Sequence, residues 1–460
     1  MPYYAQPTGS SSTSHLLTKP ESFFMTFKKC TTAETGIGML YYISDTEGTG
    51  GRLKAQPEDF VVKEISSLPE PADDGKFTIA KVTARNWETN HMIRLMSREM
   101  GISRERIGFA GTKDKRAVTT QLMSFEGPMS LLDKIDLQDL SISEPYTARR
   151  KIQIGDLIGN EFEIRVSNLT RPRSEVDGIC NEVVSQIGKM KGFPNYFGVQ
   201  RFGVMRPITH KVGEYIIRGD LESAVRCYVT DPAGPMSYDT EAAKTREILK
   251  EADDWTGMSR IIPDSMSFEK GLVGYLSDNP GDWVGAIATL PTNLQMMFVH
   301  AYQSYLFNLM LSERIARGIP LDRPIVGDLI IPLDSDGTPH HENPILTTAK
   351  NIDLVERQIK LKKAFVSITL YGSKSVLAEG EMGEIEKKIL EEHHITAENF
   401  VVPGLSHCSS EGSNREVLCP VKNLRYTPEE ETYKVSFSLP KGNYATCLMR
   451  EFMKSEMTDY

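Results

Sequence analysis

A chain of 460 residues is too long for one ordinary hydrophobic core, and its 40% hydrophobic and 25% charged residues are typical of a globular protein with two or three domains. The formal net charge of −9 argues against a protein that coats nucleic acid, although it leaves room for a local basic groove. No apolar run approaches the roughly 18 residues of a membrane span, and the six scattered cysteines include no C-x-x-C pair, which argues against a zinc site or a disulfide framework.

Two strands and a helix are predicted in the first quarter of the chain. The stretches "DFVVKEI" (59–65) and "KFTIAKVTA" (76–84) have the composition of strands, and the second alternates well. "ETNHMIRLMSREMG" (88–101) predicts a helix, because its apolar residues recur at helical spacing. Thr89 or Asn90 is the expected N-cap, and the final glycine is a good stop.

Two further strands and a second helix are predicted next. "AVTTQLMSF" (117–125) and "NEFEIRVSNL" (160–169) are the strands, and the second places apolar residues on one face. "SEVDGICNEVVSQIGKMKG" (174–192) predicts a helix with Ser174 as its cap and Gly192 beyond its end.

The middle of the chain has a different character. Residues 206–290 are rich in predicted helices and loops, and residues 291–318 predict a long, largely buried helix. Strand patterns return near residue 365 and in "YKVSFSLP" (433–440), which alternates apolar and polar residues. We therefore expect a mixed α/β core, interrupted by a large insertion and closed by a C-terminal strand.

The stretch "GFAGTKDKRAVTTQ" (108–121) places one carboxylate, Asp114, among Lys113, Lys115 and Arg116. A basic stretch that only had to hold phosphate would gain nothing from this acid. A site that carries out chemistry on a phosphate-bearing substrate would need one. Taken alone, the stretch is more often a surface turn with a solvated acid.

Four other stretches are too particular for generic packing: "RLKAQPEDFVV" (52–62), "GNEFEI" (159–164), "NYFGVQRFG" (195–203) and "LPKGNYATCLMREF" (439–452). Together with the basic stretch they resemble the TruD family of tRNA pseudouridine synthases, in its archaeal or eukaryotic form. The resemblance extends from about residue 40 to the C-terminus, and "AYQSYLFN" (301–308) also fits it.

The resemblance implies an isomerase that cleaves the N-glycosidic bond of a uridine in tRNA, turns the base over and rejoins it through C5. It implies position 13 in the D arm as the target, a flipped base, and no metal, nucleotide or flavin cofactor. The chain has no G-x-x-x-x-G-K-[ST] loop, which agrees with the last point. We also expect a cytoplasmic monomer with no membrane partner.

The expected fold is the mixed, mainly antiparallel sheet of pseudouridine synthases, with a large inserted α/β domain. Residues 1–36 are expected to form a polar leader, because "TGSSSTSH" cannot bury enough apolar surface to fold alone. The predicted catalytic domain comprises residues 37–191 and 416–460, and residues 192–415 form the predicted insertion.

By resemblance, Asp114 is the essential aspartate of the family, acting as a nucleophile at C1′ of the ribose or as a base at C2′. Both roles require an ionised carboxylate, which nearby cations favour. Lys54, in "LKAQPEDF", matches the active-site lysine of the family and is expected to contact Asp114. Alone it would be a solvated lysine at the end of a strand.

The resemblance also implies four substrate contacts: Phe60, Asn160, Phe162 and Tyr444. Asn160 has the donor and acceptor to pair with a uracil edge, and Phe162 has an aromatic face that can stack on a flipped base. Each of the three aromatic residues could equally be a packing residue, and for Phe162 this alternative is serious. The residues expected to contact the RNA backbone are Lys113, Lys115, Arg116 and Arg201.

Two other functions remain open at this point. The first is a non-catalytic RNA-binding or RNA-folding protein, in which Asp114 has only a structural role. The second is a hydrolytic enzyme of the nucleoside hydrolase kind, which needs a second carboxylate. Glu58 or Asp59 is the nearby candidate for that carboxylate.

Overall fold

The computed structural model describes residues 27–30, 33–233, 240–252, 254–334 and 337–460. Most of the predicted polar leader, including "TGSSSTSH", lies outside the described residues. Cys30 and Glu34, from the end of that segment, are buried.

The described strands, in chain order, are β1 Lys28–Lys29, β2 Tyr41–Tyr42, β3 Gly50–Arg52, β4 Phe60–Ser66, β5 Phe77–Arg85, β6 Ile107–Phe109, β7 Val118–Glu126, β8 Leu140–Ala148, β9 Leu157–Leu169, β10 Gly192–Pro194, β11 Leu329–Pro332, β12 Ile345–Leu346, β13 Ala364–Leu370, β14 Ser413–Glu416, β15 Leu418–Pro420, β16 Lys422–Pro428 and β17 Tyr433–Pro440. The helices are α1 Thr89–Met100, α2 Arg173–Met190, α3 Thr209–Ile217, α4 Leu221–Thr230, α5 Thr240–Lys250, α6 Trp255–Ile261, α7 Ser267–Asp278, α8 Trp283–Ala288, α9 Thr292–Ala316, α10 Ile352–Lys360, α11 Gly380–Glu392 and α12 Ala445–Met453.

Within the described part of the chain, the larger sheet has the order β16-β17-β9-β4-β7-β5-β8, with β3 paired to β9 and β6 to β7. Its neighbours are antiparallel except for β4 and β7, which run parallel over three residue pairs. The expected mixed, mainly antiparallel sheet is therefore confirmed. The C-terminal strand β17 pairs with β9, so that strands far apart in sequence are neighbours in the sheet.

A second sheet, with the order β12-β11-β13-β14, lies in the predicted insertion. The long helix α9 packs against β13 and against helices α3 and α11. The chain leaves the larger sheet through β10 and returns through β15, and these two short strands pair with each other. We propose, on this arrangement, that residues 192–415 are a unit inserted into a catalytic domain made of residues 37–191 and 416–460.

The predicted helix caps were wrong in detail. Glu88 caps α1 by accepting hydrogen bonds from the backbone N–H groups of Asn90 and His91, so neither Thr89 nor Asn90 is the cap. A longer acidic side chain on extended backbone reaches the first turn as well as a short cap does.

The N-terminal limit predicted for α2 also needed correction. Helix α2 begins after Pro172 and not after Ser174, so that Pro172 is the N-cap and Ser174 lies within the first turn. Its C-cap, Lys191, adopts the left-handed conformation, and Gly192, the first residue of β10, lies beyond the end of the helix as predicted.

Candidate active site

One face of the larger sheet carries two separate apolar clusters. Helix α1 packs on the β5 side, where Met92 and Met96 belong to one buried cluster with Val82. Helix α2 packs on the β9 and β17 side, where Val176 and Cys180 belong to the larger core. Residues that lie directly opposite each other on neighbouring strands share a face, so the register shows what lies between the clusters.

A row of residues runs across the strands from one cluster to the other, and the residues in the middle of this row are polar. Val82 lies opposite Gln121 on one side, and Asn160 lies opposite Leu439 on the other. Glu64 pairs with Asn160 and follows the three residue pairs that join β4 to β7. The centre of the sheet face is thus polar, with an apolar cluster on either side.

A split in the sheet lies at the same point. The edge of β7 pairs with β4 over Val118–Thr120 and with β6 over Met123–Phe125. Between these two pairings, the N–H of Leu122 donates to the carboxylate of Glu64, at 3.3 Å from Oε1. The loop of residues 110–117, which carries the basic stretch, connects β6 to β7 and therefore emerges at this split.

Lys113 is directed into the split and not into solvent. Its ammonium forms an ion pair with the Glu64 carboxylate, and the two side chains are only 5% and 1% exposed. The ammonium also donates to the carbonyl of Gly111 at 3.3 Å, and the backbone N–H of Lys113 donates to Thr89 Oγ1 at 3.0 Å. The residue expected to contact RNA phosphate thus has a buried partner within the protein.

Asp114, the next residue, has the opposite environment. Its side chain is 47% exposed, and its Oδ1 lies 3.4 Å from Nζ of Lys54, as the resemblance implied. Nζ of Lys54 lies 4.2 Å from the centre of the Phe60 ring, so the ammonium contacts an aromatic face and a carboxylate together. Lys54 adopts the left-handed conformation (φ +55°), which turns the chain just before β4.

A series of aromatic rings continues from Phe60 into the sheet. Phe162 meets Phe60 edge to face at 6.1 Å and stacks on Phe437 at 5.3 Å between ring centres. Phe60 is 1% exposed and Phe162 is 8% exposed, so both serve as packing residues in this structure. They form the apolar wall next to the polar row.

Two amides in the polar row are without partners. Asn160 Oδ1 and both side-chain amide atoms of Gln121 are buried and make no hydrogen bond to the described residues. A buried polar group that is left unpaired costs about 1–3 kcal/mol. Amides kept at this cost are candidates for pairing with a ligand.

Tyr444 lies in the turn that joins β17 to α12. The N–H of Lys441, in the same turn, donates to the carbonyl of Ile158 at 3.0 Å, so the turn is held at the start of β9, near Asn160. The half-buried Tyr444 ring meets Phe197 at 6.3 Å. The Arg201 guanidinium also lies over Phe197, at 5.4 Å from the ring centre.

The remaining basic residues of the loop are exposed. Lys115 and Arg116 both face solvent, and Nη2 of Arg116 donates to the carbonyl of Ala55 at 2.8 Å. This bond ties the loop that carries Asp114 to the segment that carries Lys54.

The two carboxylates considered for a hydrolytic mechanism are both engaged elsewhere. Glu58 forms an ion pair with Arg85, and Asp59 forms one with Arg165 at 3.3 Å. Asp59 also accepts the N–H of Gln56 at 3.0 Å. Neither pairing leaves a second acid free to act beside Asp114.

Within the described ranges, no group of three or more His, Cys, Asp or Glu side chains is placed to hold a metal ion. No helix in the same ranges has both the length and the apolar character needed to cross a membrane.

Glu64 and Gln121 were not predicted as site residues from the sequence. A signal for Glu64 was present, because in "DFVVKEI" a charged residue occupies the same alternating face as Phe60 and Val62. Gln121 follows the same pattern in "AVTTQLMSF". A polar residue on an otherwise apolar strand face marks a position where burial needs an explanation.

Comparisons with known proteins identify the family to which nearly the whole chain is similar. The family model for tRNA pseudouridine synthase D (TruD) matches residues 36–452. A "Probable tRNA pseudouridine synthase D" of Methanococcoides burtonii is 40% identical over 433 residues, which cover 92% of this chain and 97% of that protein. Its counterpart in Methanosarcina mazei is 38% identical over 428 residues, with 92% and 97% covered. A crystal structure of the "Putative tRNA pseudouridine synthase D (TruD)" from Methanosarcina mazei has a TM-score of 0.83 and 37% identity, covering 93% of this chain and 98% of that one.

Proposed function

The chain belongs to the TruD family of tRNA pseudouridine synthases and is an isomerase, and we propose that it converts the uridine at position 13 of the D arm with the carboxylate of Asp114. The observation that carries this proposal is the exposure of Asp114 beside a lysine, at a split in the sheet that is flanked by unpaired amides and aromatic rings. A carboxylate held in this way can meet a nucleotide that enters from solvent.

The chemistry needs one ionised carboxylate. The bond between N1 and C1′ breaks, the bond between C5 and C1′ forms, C5 loses its hydrogen as a proton, and N1 gains one. Substrate and product have the same composition, so the reaction balances without an oxidant or reductant. Asp114 acts on C1′ as a nucleophile or at C2′ as a base, and Lys54 stabilises its charge from 3.4 Å.

The polar row is suited to hold the flipped base. A uracil edge has one N–H donor between two carbonyl acceptors, and the amides of Asn160 and Gln121 offer both kinds of partner. Phe60 and Phe162 form the apolar wall beside this row, and Tyr444 approaches from the turn after β17. Stacking of a base on an aromatic ring contributes about 1–3 kcal/mol, which offsets a flipping cost of a few kcal/mol.

Backbone contacts are assigned to three other cations. Lys115 and Arg116 are exposed and Arg201 is half-buried, and each can contact phosphate, which positions the RNA without reading its sequence. For Lys113 we propose a different role from the one expected: through Glu64 it holds the loop so that Asp114 points outward.

The test uses a tRNA transcript that carries tritium at C5 of uridine. Wild-type protein should release tritium, because C5 becomes the glycosidic carbon, and Asp114→Ala should release none. A transcript with cytidine at position 13 should lose the release that depends on that site. Free uracil as a product would indicate a hydrolase, and tight tRNA binding without release by the wild type would indicate a binding protein.

A further inference from the structure

Arg415 belongs to strand β14 of the insertion, and its guanidinium contacts both the start of the insertion and a turn of the catalytic part of the chain. Its Nε donates to the carbonyl of Asn195 at 3.1 Å, and its Nη2 donates to Asn195 Oδ1 at 2.7 Å. Nη1 and Nη2 both lie 3.4 Å from the carbonyl of Gly442. One side chain therefore bonds the segment where the chain enters the insertion and the turn that precedes Tyr444.

Aromatic contacts join the same two places. The Arg415 guanidinium lies 4.2 Å from the centre of the Phe197 ring and 6.0 Å from that of Tyr444. Phe197 and Tyr444 are in contact with each other as well. A planar guanidinium suits this position because it stacks on rings while its edge donates hydrogen bonds.

Hydrogen bonds of Asn195 join the segment that enters the insertion to the segment that leaves it. Its side-chain amide donates to the carbonyl of Glu416 at 3.0 Å, and its backbone N–H donates to the carbonyl of Val417 at 2.9 Å. The outgoing and returning segments of the chain are thus bonded to each other, and Arg415 adds the turn of Gly442 to the same cluster. Among the described residues, no carboxylate forms an ion pair with this arginine, so carbonyls and rings alone hold the cation.

We propose that Arg415 is a positioning residue, which fixes Tyr444 near the start of β9 and couples it to the insertion. This inference rests on the proposed function, because it assumes that Tyr444 contacts the substrate nucleotide. A small displacement of a contact residue can lower a rate by about 100-fold. Arg415 should therefore affect the rate of isomerisation through Tyr444 and without contacting the RNA.

The experiment is a double-mutant cycle on the full-length protein. Single-turnover tritium release and tRNA affinity are measured for the wild type, Arg415→Met, Arg415→Lys, Tyr444→Ala and Arg415→Met/Tyr444→Ala. We expect Arg415→Met and Tyr444→Ala each to lower the rate by about tenfold or more, with the double variant no slower than the slower single variant. Arg415→Lys, which keeps the charge and loses the bonds to Gly442, should fall between the wild type and Arg415→Met.

Arg314→Lys is the matched control. Arg314 is a fully buried arginine of the same insertion, paired with Asp328 at 2.6 Å. The Arg314→Lys substitution should lower the Tm, while the rate of tritium release measured well below that Tm should not change. If Arg415→Met does not fold, Arg415→Lys with Tyr444→Ala completes the cycle.

Multiplicative losses in the double variant would overturn the proposal, as would a wild-type rate in both Arg415 variants. A weaker, more salt-sensitive affinity with an unchanged rate would show that Arg415 contacts phosphate, and would also overturn it. Failure of the proposed function is a separate result: either the wild type releases no tritium or Asp114→Ala releases as much as the wild type.

Discussion

Two lysine–carboxylate pairs lie side by side at the split in the sheet, and they have different environments. Lys113 and Glu64 form a pair within the sheet, with 5% and 1% of their side chains exposed. Lys54 and Asp114 form a pair at the rim, with 16% and 47% exposed. Lys113 and Asp114 are consecutive residues, so one step along the chain separates the buried pair from the open one.

The difference indicates that consecutive residues of one loop have different roles: Lys113 attaches the loop to the sheet, and Asp114 stays accessible. A buried ion pair is costly to form, and it leaves the loop with a fixed attachment because neither charge can be released alone. An exposed pair contributes about 0–1 kcal/mol to stability, which leaves Asp114 available to a substrate. The lone acid in the basic stretch is thus explained by two lysines. Lys113 anchors the loop through Glu64, and Lys54 pairs with Asp114.

The largest effect should come from breaking the buried pair. Lys113→Met leaves the Glu64 charge buried without its partner, so the free energy of unfolding should fall by about 3–5 kcal/mol. Lys113→Met/Glu64→Gln should recover much of this loss, because the amide is neutral and still accepts the N–H of Leu122. Urea unfolding measures both. A loss below about 1 kcal/mol would show that this pair does not hold the loop.

A smaller effect, confined to the rate, is expected at the exposed pair. Lys54→Met keeps an apolar stem against Phe60 and removes the charge beside Asp114, so single-turnover tritium release should fall by about 10–100-fold. Its unfolding free energy should change by less than about 1 kcal/mol. Lys54→Arg, which restores the charge, is the control. If Lys54→Met lowers the free energy of unfolding as much as Lys113→Met does, the two pairs do not have different roles.

Much of this architecture could be predicted, because it depends on local patterns. The alternation of β4, β5, β7, β9 and β17 follows directly from the sequence, and so does the long buried helix α9. The proximity of Lys54 to Asp114 came from the resemblance and not from spacing.

What could not be predicted depends on pairing between distant segments. The split on the edge of β7 exists only because β4 and β6 share that edge, and no local pattern encodes such sharing. Lys113 was expected at the RNA for the same reason: its partner Glu64 is 49 residues away along the chain. Arg415 was missed because its contacts join three segments that are remote in sequence.

A third pair, of intermediate exposure, extends the comparison to pH. The hydrogen bond from Arg165 to Glu429, at 2.7 Å, lowers the pKa of that carboxyl to about 2. Its unfolded value is about 4.3, so the stabilisation is present above that pH and is lost as the pH falls toward 2.

Between pH 5 and pH 3, the wild type should therefore lose about 1 kcal/mol more than Glu429→Gln does. Thermal unfolding of both proteins at the two pH values measures this difference. Equal losses would show that the pair makes no contribution in solution.

The smallest effect is expected at the exposed lysine next to Asp114. Lys115→Ala should weaken tRNA binding modestly and reduce the slope of log affinity against log salt by about one. Lys113→Met, measured at a temperature where it is folded, should leave that slope unchanged because its ammonium is buried. Filter binding at several salt concentrations measures the slope for both variants. A reduced slope for Lys113→Met would show that Lys113 contacts the RNA phosphates after all.

The most direct test compares the same chemical change at the two carboxylates. Asp114→Asn and Glu64→Gln each replace an acid with its amide, and both are measured for Tm and for tritium release below the Tm. We predict that Asp114→Asn keeps the wild-type Tm and releases no tritium, whereas Glu64→Gln has a lower Tm and retains measurable release. Release by Asp114→Asn, or complete loss of release in a folded Glu64→Gln protein, would contradict this prediction.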